Sequence, residues 1–385
     1  MSPEIVFIVK CRFLCYALCA RSVFTKVCII KLKKLFSSER VSAMSYPKPL
    51  SEKGISRQYI ATGLTGEQIG FLRRFFAACT NLYGVFMAEE AWNVYKELSS
   101  KTVTVPLHRK DMYAALSVLR REPVPYYVFE ADEIYSEEPR SDRYRVIALR
   151  DIVSPGYGKY NALYHIMEAS EGKPFYVPKN LLEYAEMKKS RYESRLLEIL
   201  GKLKSTQSEY EDKWGHTHPC KYCGQYLRDF AFVSRDDEYE LCYLRGEVEG
   251  VKGNAKRALE FETQINSISA AQYLVEKLKW RSNIGFFTPS EAIGCFFDAL
   301  NEMGVSLAGD KQVNELLQAI NDLNNHQNLW CNHGWSPLEL SMQFSRHGTP
   351  TISFGAGLQE AFAKGTMDKQ ELIRKLKELG MEVLE

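Results

Sequence analysis

The sequence predicts an α+β protein, predominantly α-helical, with a small antiparallel sheet in its N-terminal half and a zinc knuckle as a candidate feature of its middle. Three observations carry this. Apolar residues recur at three- and four-residue spacing over most of the chain. Short aromatic and β-branched runs between about 126 and 177 break that period. In the middle, Trp214–Gly224 (WGHTHPCKYCG) crowds two histidines and a Cys-x-x-Cys pair into one stretch.

A chain of 385 residues has room for more than one core. The expected organisation is a basic segment at 1–43, a helical domain with a small sheet at 44–180, a long helix and Cys/His knuckle with hairpin at 181–250, and a helical domain at 251–385. The hydrophobic share of 45% and charged share of 25% are those of a globular protein, which excludes fibrous and disordered classes. The net charge of +2 hides an imbalance. Residues 1–43 carry eight Lys/Arg against two Asp/Glu, so the body is mildly acidic and does not have the charge of a general nucleic-acid binder. Apart from four cysteines in the first segment and the Cys220/Cys223 pair, cysteines are scattered singly, which indicates a reducing cytoplasm rather than a disulfide framework.

The first segment is apolar but interrupted by Lys10, Arg12, Arg21 and Lys26, too often for a spanning helix of about 20 apolar residues. Glu39-Arg40 is encodable by a purine run of the ribosome-binding type shortly before Met44. Translation from Met44 is therefore expected, with a basic surface helix and a targeting segment as the other readings. With a start at Met44, no membrane role is expected.

Beyond Met44, Thr65 and Gln68 form a capping-box signature ahead of a helix through FLRRFFAACTNLYGVF. Helices at Ala88–Leu98 and His108–Arg120 follow. Tyr126–Phe129, Tyr144–Leu149, Leu163–Met167 and Phe175–Val177 are predicted as strands. Tyrosines alternate there with Arg140, Arg143, Arg145 and Arg150, a pairing that stacks on single-stranded bases. Glu137, Glu138, Asp142 and Asp151 among them make nucleic acid the less favoured partner and an unidentified protein the favoured one, so the expected function is a cytoplasmic binding or adaptor protein, with a nucleic-acid-binding or nucleic-acid-processing enzyme using the Tyr/Arg-rich sheet as the alternative.

A long helix is predicted over Leu181–Lys213 from its leucine stripe, with Gly201 as a break or bend. Gly215 and Pro219 then present the cluster in a loop. A structural zinc needs four nitrogen or sulfur ligands. Cys220 and Cys223 supply two and His218 or His216 a third. Cys242, across a hairpin expected at Tyr226–Val233 and Glu240–Leu244, supplies the fourth. The second Cys-x-x-Cys that would complete a two-knuckle site is missing, so a metal-free loop stands beside zinc as a reading, and a thioredoxin-type redox pair is a third, disfavoured because the helix precedes the cysteines. No residue is assigned a catalytic role.

Ala255–Trp280 is predicted as two helical pieces, and Thr288-Pro-Ser-Glu291 and Ser336-Pro-Leu-Glu339 as two further helix starts. Gly309–Leu323 and Asp368–Leu379 complete the set. Cys331 and His333, two apart, have the residue types of a nucleophile pair but no identifiable orienting group, and packing is the expected role.

Several runs carry a resemblance. Cys79–Gly84 (CTNLYG), Phe175–Pro178 (FYVP), Leu181–Tyr184 (LLEY), Asn324-Asn325, Gly334–Leu340 (GWSPLEL) and Ser353–Gly355 (SFG) are similar to an uncharacterised family of Gram-positive bacterial proteins, YecA-like or SEC-C-containing. The resemblance begins near Met44 and touches most of the chain after it. It implies shared architecture and no catalytic residue. Members of that family often continue into a C-terminal SEC-C zinc motif with a Cys-x-Cys pattern. This sequence lacks that pattern, so no metal role of that tail carries over.

Overall fold

A computed structural model of the chain describes residues 46–134, 141–153, 161–206, 209–211, 217–219, 221–248, 250–346, 351–353, 370, 373–374 and 382–384. The 1–43 segment, His216, Cys220 and nearly all of the expected 368–379 helix lie outside the described residues. Among the described residues no helix is long and apolar enough to cross a membrane.

The N-terminal half begins with α1 (Glu52–Thr62), started by the Ser51 hydroxyl, which accepts from the Gly54 backbone, and ended by Gly63 in the left-handed region. The capping box then forms as its residues dictate. Gln68 N–H donates to Thr65 Oγ1, Thr65 N–H donates to Gln68 Oε1, and α2 (Gly66–Tyr83) follows. One face of α2 is buried from Phe71 to Tyr83. At Gly84 (φ 72°) the chain leaves the helix three residues before the expected end at Phe86 and enters β1 (Val85–Met87). Two helices follow, α3 (Ala88–Lys101) and α4 (Arg109–Leu119). Then come β2 (Tyr126–Phe129), the short α5 (Ala131–Ile134) and β3 (Val146–Leu149).

The sheet is antiparallel in the order β1-β3-β2, with Val85 opposite Ala148 and Val128 opposite Ile147. Every side chain of β3 is buried, as expected of a strand covered on both faces.

Two of the four expected strands are absent from this sheet. Leu163–Met167 lies within α6 (Asn161–Ser170), where Leu163 and Ile166 are buried and Tyr164 is exposed. That three-residue repeat is a helical face, which a short apolar run conceals. Phe175–Val177 is irregular. Tyr176 N–H donates to the His333 carbonyl, so the segment pairs with a loop rather than a strand.

The long central helix is divided. Leu181–Ala185 is a 3-10 turn against α2, and the chain restarts at Ser190, whose hydroxyl accepts from Glu193 N–H, into α7 (Arg191–Gly201). A short antiparallel pair, β4 (Glu209–Glu211) and β5 (Thr217–Pro219), follows. The expected hairpin strand Glu240–Leu244 is helical instead and lies in α8 (Arg235–Arg245). Ser234 and Asp237 cap that helix reciprocally, and Asp237, Leu241 and Leu244 face inward at helical spacing.

The remaining helices are α9 (Ala255–Asn266), α10 (Ala270–Ile284), α11 (Pro289–Glu302), α12 (Asp310–His326) and α13 (Pro337–Arg346). They include the two expected pieces and both expected caps. A parallel pair, β6 (Thr351–Ser353) and β7 (Glu382–Leu384), closes the chain. Helices α7, α10, α11 and α12 surround one core. A second core packs α2, α3 and α4 against the sheet. A third joins the two halves, placing Ile284 and Trp330 among Val85, Val146, Leu163 and Ile166.

Candidate functional site

The join is made by the loop 327–336, and it explains why the quoted motif runs have the residues they have. The Trp330 indole lies over Gly84, where an added Cβ would sit 2.7 Å from the ring. Its Nε1 donates to the Asn81 carbonyl, and its backbone N–H donates to Asn283 Oδ1. Gly334 (φ 83°) leaves room for Leu82 and Tyr83. His333 adopts the left-handed region (φ 48°) and stacks on Phe175, ring centroids 3.9 Å apart. Its Nδ1 lies 2.8 Å from the Lys173 carbonyl, which can only accept, so Nδ1 carries the proton. Lys173 Nζ in turn donates to the Cys331 carbonyl and Asn332 Oδ1. The runs at 79–84, 175–178, 181–184 and 334–340 thus meet at one junction.

Cys331 and His333 do not form a nucleophile pair here. The thiol approaches the Ser282 carbonyl at 3.6 Å, and the imidazole proton is given to Lys173. Burial pushes the Cys331 thiol up and the His333 imidazole down, so both are held neutral near pH 7. Burial likewise raises the Cys79 thiol, which lies in the α2 core.

Of the candidate metal ligands, Cys223 is exposed in the turn 221–224, which ends at Gly224 (φ 87°). His218 is in β5 opposite Tyr210. Cys242 is not across a hairpin. It is on α8, where a hydrogen bond with Glu247 raises its thiol pKa. His216 and Cys220 lie outside the described residues. Among the described residues, no group of three or more His, Cys, Asp or Glu is gathered to hold a metal ion.

The tyrosines and arginines of the sheet are largely engaged with one another and with acids. Arg120 makes a two-pronged pair with Glu133 and lies over Tyr46. Arg145 is paired with Glu130 and Asp142. Arg150 lies over Tyr127 and Arg143 over Tyr144. Arg140 lies outside the described residues.

Beside the junction is a cleft of about 290 Å³. Its walls come from the end of α2 (Asn81, Leu82), the 180–188 segment, the start of α7 (Ser190, Glu193), α10 (Lys279, Asn283) and the end of α12 with the residues after it (Leu323, His326, Gln327, Asn328, Trp330). Five side-chain amides line it. Four are engaged. Asn81 donates to the Tyr184 and Ala185 carbonyls, Asn180 to Glu183, and Asn328 to the Gly334 carbonyl, while Asn283 accepts from Trp330.

Gln327 differs. It is 9% exposed, and neither Nε2 nor Oε1 has a hydrogen-bond partner. Leaving buried polar atoms unpaired costs about 1–3 kcal/mol each. Native interiors avoid this, and exceptions call for a reason. Lys279 Nζ meets Glu193 Oε2 at 2.8 Å on the same wall. Tyr184, partly buried and near Tyr176, Glu339 and Glu183, is pushed up to about 12.

No protein-family model, curated protein or solved structure matches the chain. The site therefore rests on its geometry. Sequence reading passed over it. Gln327 lies in the run Asn324-Asn-His-Gln-Asn328, a density of amides at a helix end that was the available signal.

Proposed function

We propose that the protein is a non-enzymatic, cytoplasmic binding or adaptor protein that holds a small polar portion of a protein partner in the amide-lined cleft. The observation that carries this is the cleft itself, lined by five side-chain amides, of which Gln327 is unpaired in the wall, has both polar atoms closed to solvent, and would meet a ligand by turning its side chain into the space. One donor and one acceptor side by side complement the N–H and C=O of a peptide group. The surrounding side chains offer hydrogen bonds and shape. The cysteine and histidine nearest to a catalytic pattern, Cys331 and His333, are used for packing and for backbone contacts.

Ligand-observed NMR with a panel of N-acetyl amino-acid methylamides tests this reading. Members of the panel are expected to bind the native protein and to lose binding in Gln327→Leu. Because the amide has no partner to lose, that variant is expected to fold at least as stably as the parent, by about 1 kcal/mol or more. Binding that persists unchanged in Gln327→Leu, or no binding by any member, refutes the assignment.

A structural zinc at the central loop belongs to the same proposal as a folding element, with Cys220 and Cys223 as thiolate ligands and His216 or His218 beside them. The turn ending at left-handed Gly224 supports it, since such a turn lets a Cys-x-x-Cys pair converge. The placement of Cys242 on α8 gives its fourth-ligand role less support. Elemental mass spectrometry is expected to find about one zinc per chain, absent in Cys220→Ser. A metal-free, fully folded protein removes zinc and leaves the cleft reading intact.

A further inference from the structure

We infer that His333 makes the fastening between the two halves acid-sensitive: a proton taken up by its imidazole sets a second cation beside Lys173 and loosens the hold of the loop 327–336 on the segment 173–176.

The geometry places this histidine at the centre of the contact. The segment and the loop are bound residue by residue. Lys173 Nζ donates to the Cys331 carbonyl and Asn332 Oδ1, Trp335 Nε1 donates to the Pro174 carbonyl, and Tyr176 N–H donates to the His333 carbonyl. Within that ladder the His333 ring lies flat on Phe175 and gives its Nδ1 proton to the Lys173 carbonyl. The next proton must therefore go to Nε2, and it brings a full charge into a buried ring. Among the described residues His333 is the only buried histidine, so no other imidazole competes for this role.

The charges around the ring oppose that proton. Lys173 is the one charged group that acts on it, and among the described residues this ammonium has neutral acceptors and no carboxylate. The other titratable neighbours do not compensate. Tyr83 of α2 and Tyr176 are neutral phenols, and burial has pushed the Cys331 thiol up, so it too stays neutral in acid. Glu339 of α13 is engaged by the Ser336 N–H and hydroxyl. Helices α6 and α10 meet the loop through Ala169, Ser282 and Asn283, which carry no charge. Burial is the largest effect and holds the imidazole below its ordinary value, with Lys173 adding to it. The Lys173 carbonyl and the face of Phe175 favour the cation, and they are outweighed.

A ring that stays neutral in the closed loop and titrates ordinarily in the open one takes up protons mainly on opening. The opening constant therefore rises, by up to about tenfold per pH unit, as pH falls from about 6.5 toward the closed-state value, and then levels off. Gln327, Asn328 and Trp330 line the cleft from the same loop, so acid reaches that wall whatever the cleft holds.

The test is NMR on the full chain between about pH 8 and about pH 5, on either side of the ordinary histidine value. Long-range 15N spectra read the His333 ring, assigned by its loss in His333→Asn, and hydrogen exchange reads the protection of the Trp330 indole N–H, which is bonded to the Asn81 carbonyl. Asparagine accepts the left-handed backbone at 333, so the variant is expected to fold. The parent ring is expected to carry its proton on Nδ1 and to titrate below about 6.5. Protection of the indole is expected to fall by up to about tenfold per pH unit in that range. In His333→Asn it should not fall, and the amide of Ile320 in the α12 core should keep its protection throughout. Lys173→Met, which removes the second cation, is expected to raise the ring's pKa. A ring that titrates at or above its ordinary value, or indole protection that ignores pH or falls equally in His333→Asn, overturns the inference. So does an Ile320 amide that loses protection in step, since acid would then loosen the whole chain. Should His333→Asn not fold, an unchanged ring titration in Lys173→Met overturns it instead.

Discussion

At the scale of single residues, the junction depends on positions that lack a side chain or hold an unusual backbone. Gly84 and Gly63 have nearly the same φ, 72° and 73°, and differ in what surrounds them. A Cβ on Gly63 meets open space, whereas one on Gly84 lands 2.7 Å from the Trp330 ring, whose indole cannot withdraw without losing its bond to Asn81. Gly63→Ala is therefore expected to cost only left-handed strain, about 1–2 kcal/mol. Gly84→Ala adds overpacking of about 1–3 kcal/mol to the same strain. Paired denaturant titrations check this, and equal losses in the two variants would mean that Trp330 does not clamp the join. Gln327 is the converse case, a side chain whose surroundings leave it unmatched. Among the described residues it alone has two buried side-chain atoms without a partner, and this is what marks the cleft.

At the scale of elements, local chemistry was legible wherever it was self-contained. The caps at Thr65, Thr288 and Ser336 form from residues three apart, and the helices that they start are present. Strands β2 and β3 announce themselves by composition. The errors share one cause: a short apolar run has no period of its own. Leu163–Met167 became helical because Leu163 and Ile166 share a buried face, and Glu240–Leu244 because Ser234 and Asp237 cap a helix ahead of it. Asp237 also ties α8 to α10. Burial alone opposes its charge, but Lys277 Nζ at 2.8 Å and donors from Ser234 and Tyr273 outweigh that and lower its pKa. A carboxylate with a lowered folded pKa stabilises fully above its unfolded pKa, about 4, and loses that contribution as pH falls through the folded value. Asp237→Asn is expected to cost about 1–2 kcal/mol at neutral pH, since it takes the charge partner from an ammonium that is still about a third exposed. It should also flatten the loss of stability below pH about 4. Unfolding free energies across pH settle the point, and an unchanged acid slope in the variant would remove Asp237 from the clamp.

At the scale of the whole molecule, two helical cores are fastened by a loop, and the fastening leaves a cleft beside it. Sequence patterns foretold the fold class and most helices, because periodicity and capping are local. They did not foretell the cleft, because its walls come from positions 81, 193, 279 and 327, which only the packing of α2, α7, α10 and the end of α12 brings together. Nor does any pattern reveal that one of five lining amides lacks a partner. The central loop that drew attention by its histidines and cysteines carries a separate, metal-dependent proposal. The claim on which the account depends is that Gln327 is a ligand-binding group. Its side-chain NH2 gives its own pair of signals in a 15N-correlated NMR spectrum, assignable by their loss in Gln327→Leu. On titration with N-acetyl-lysine methylamide, the account predicts that this pair shifts and saturates while that of Gln272, half-buried on α10 and bonded to Glu276, stays in place. Signals of Gln327 that do not move while the compound binds elsewhere, or that do not move at all, would contradict it.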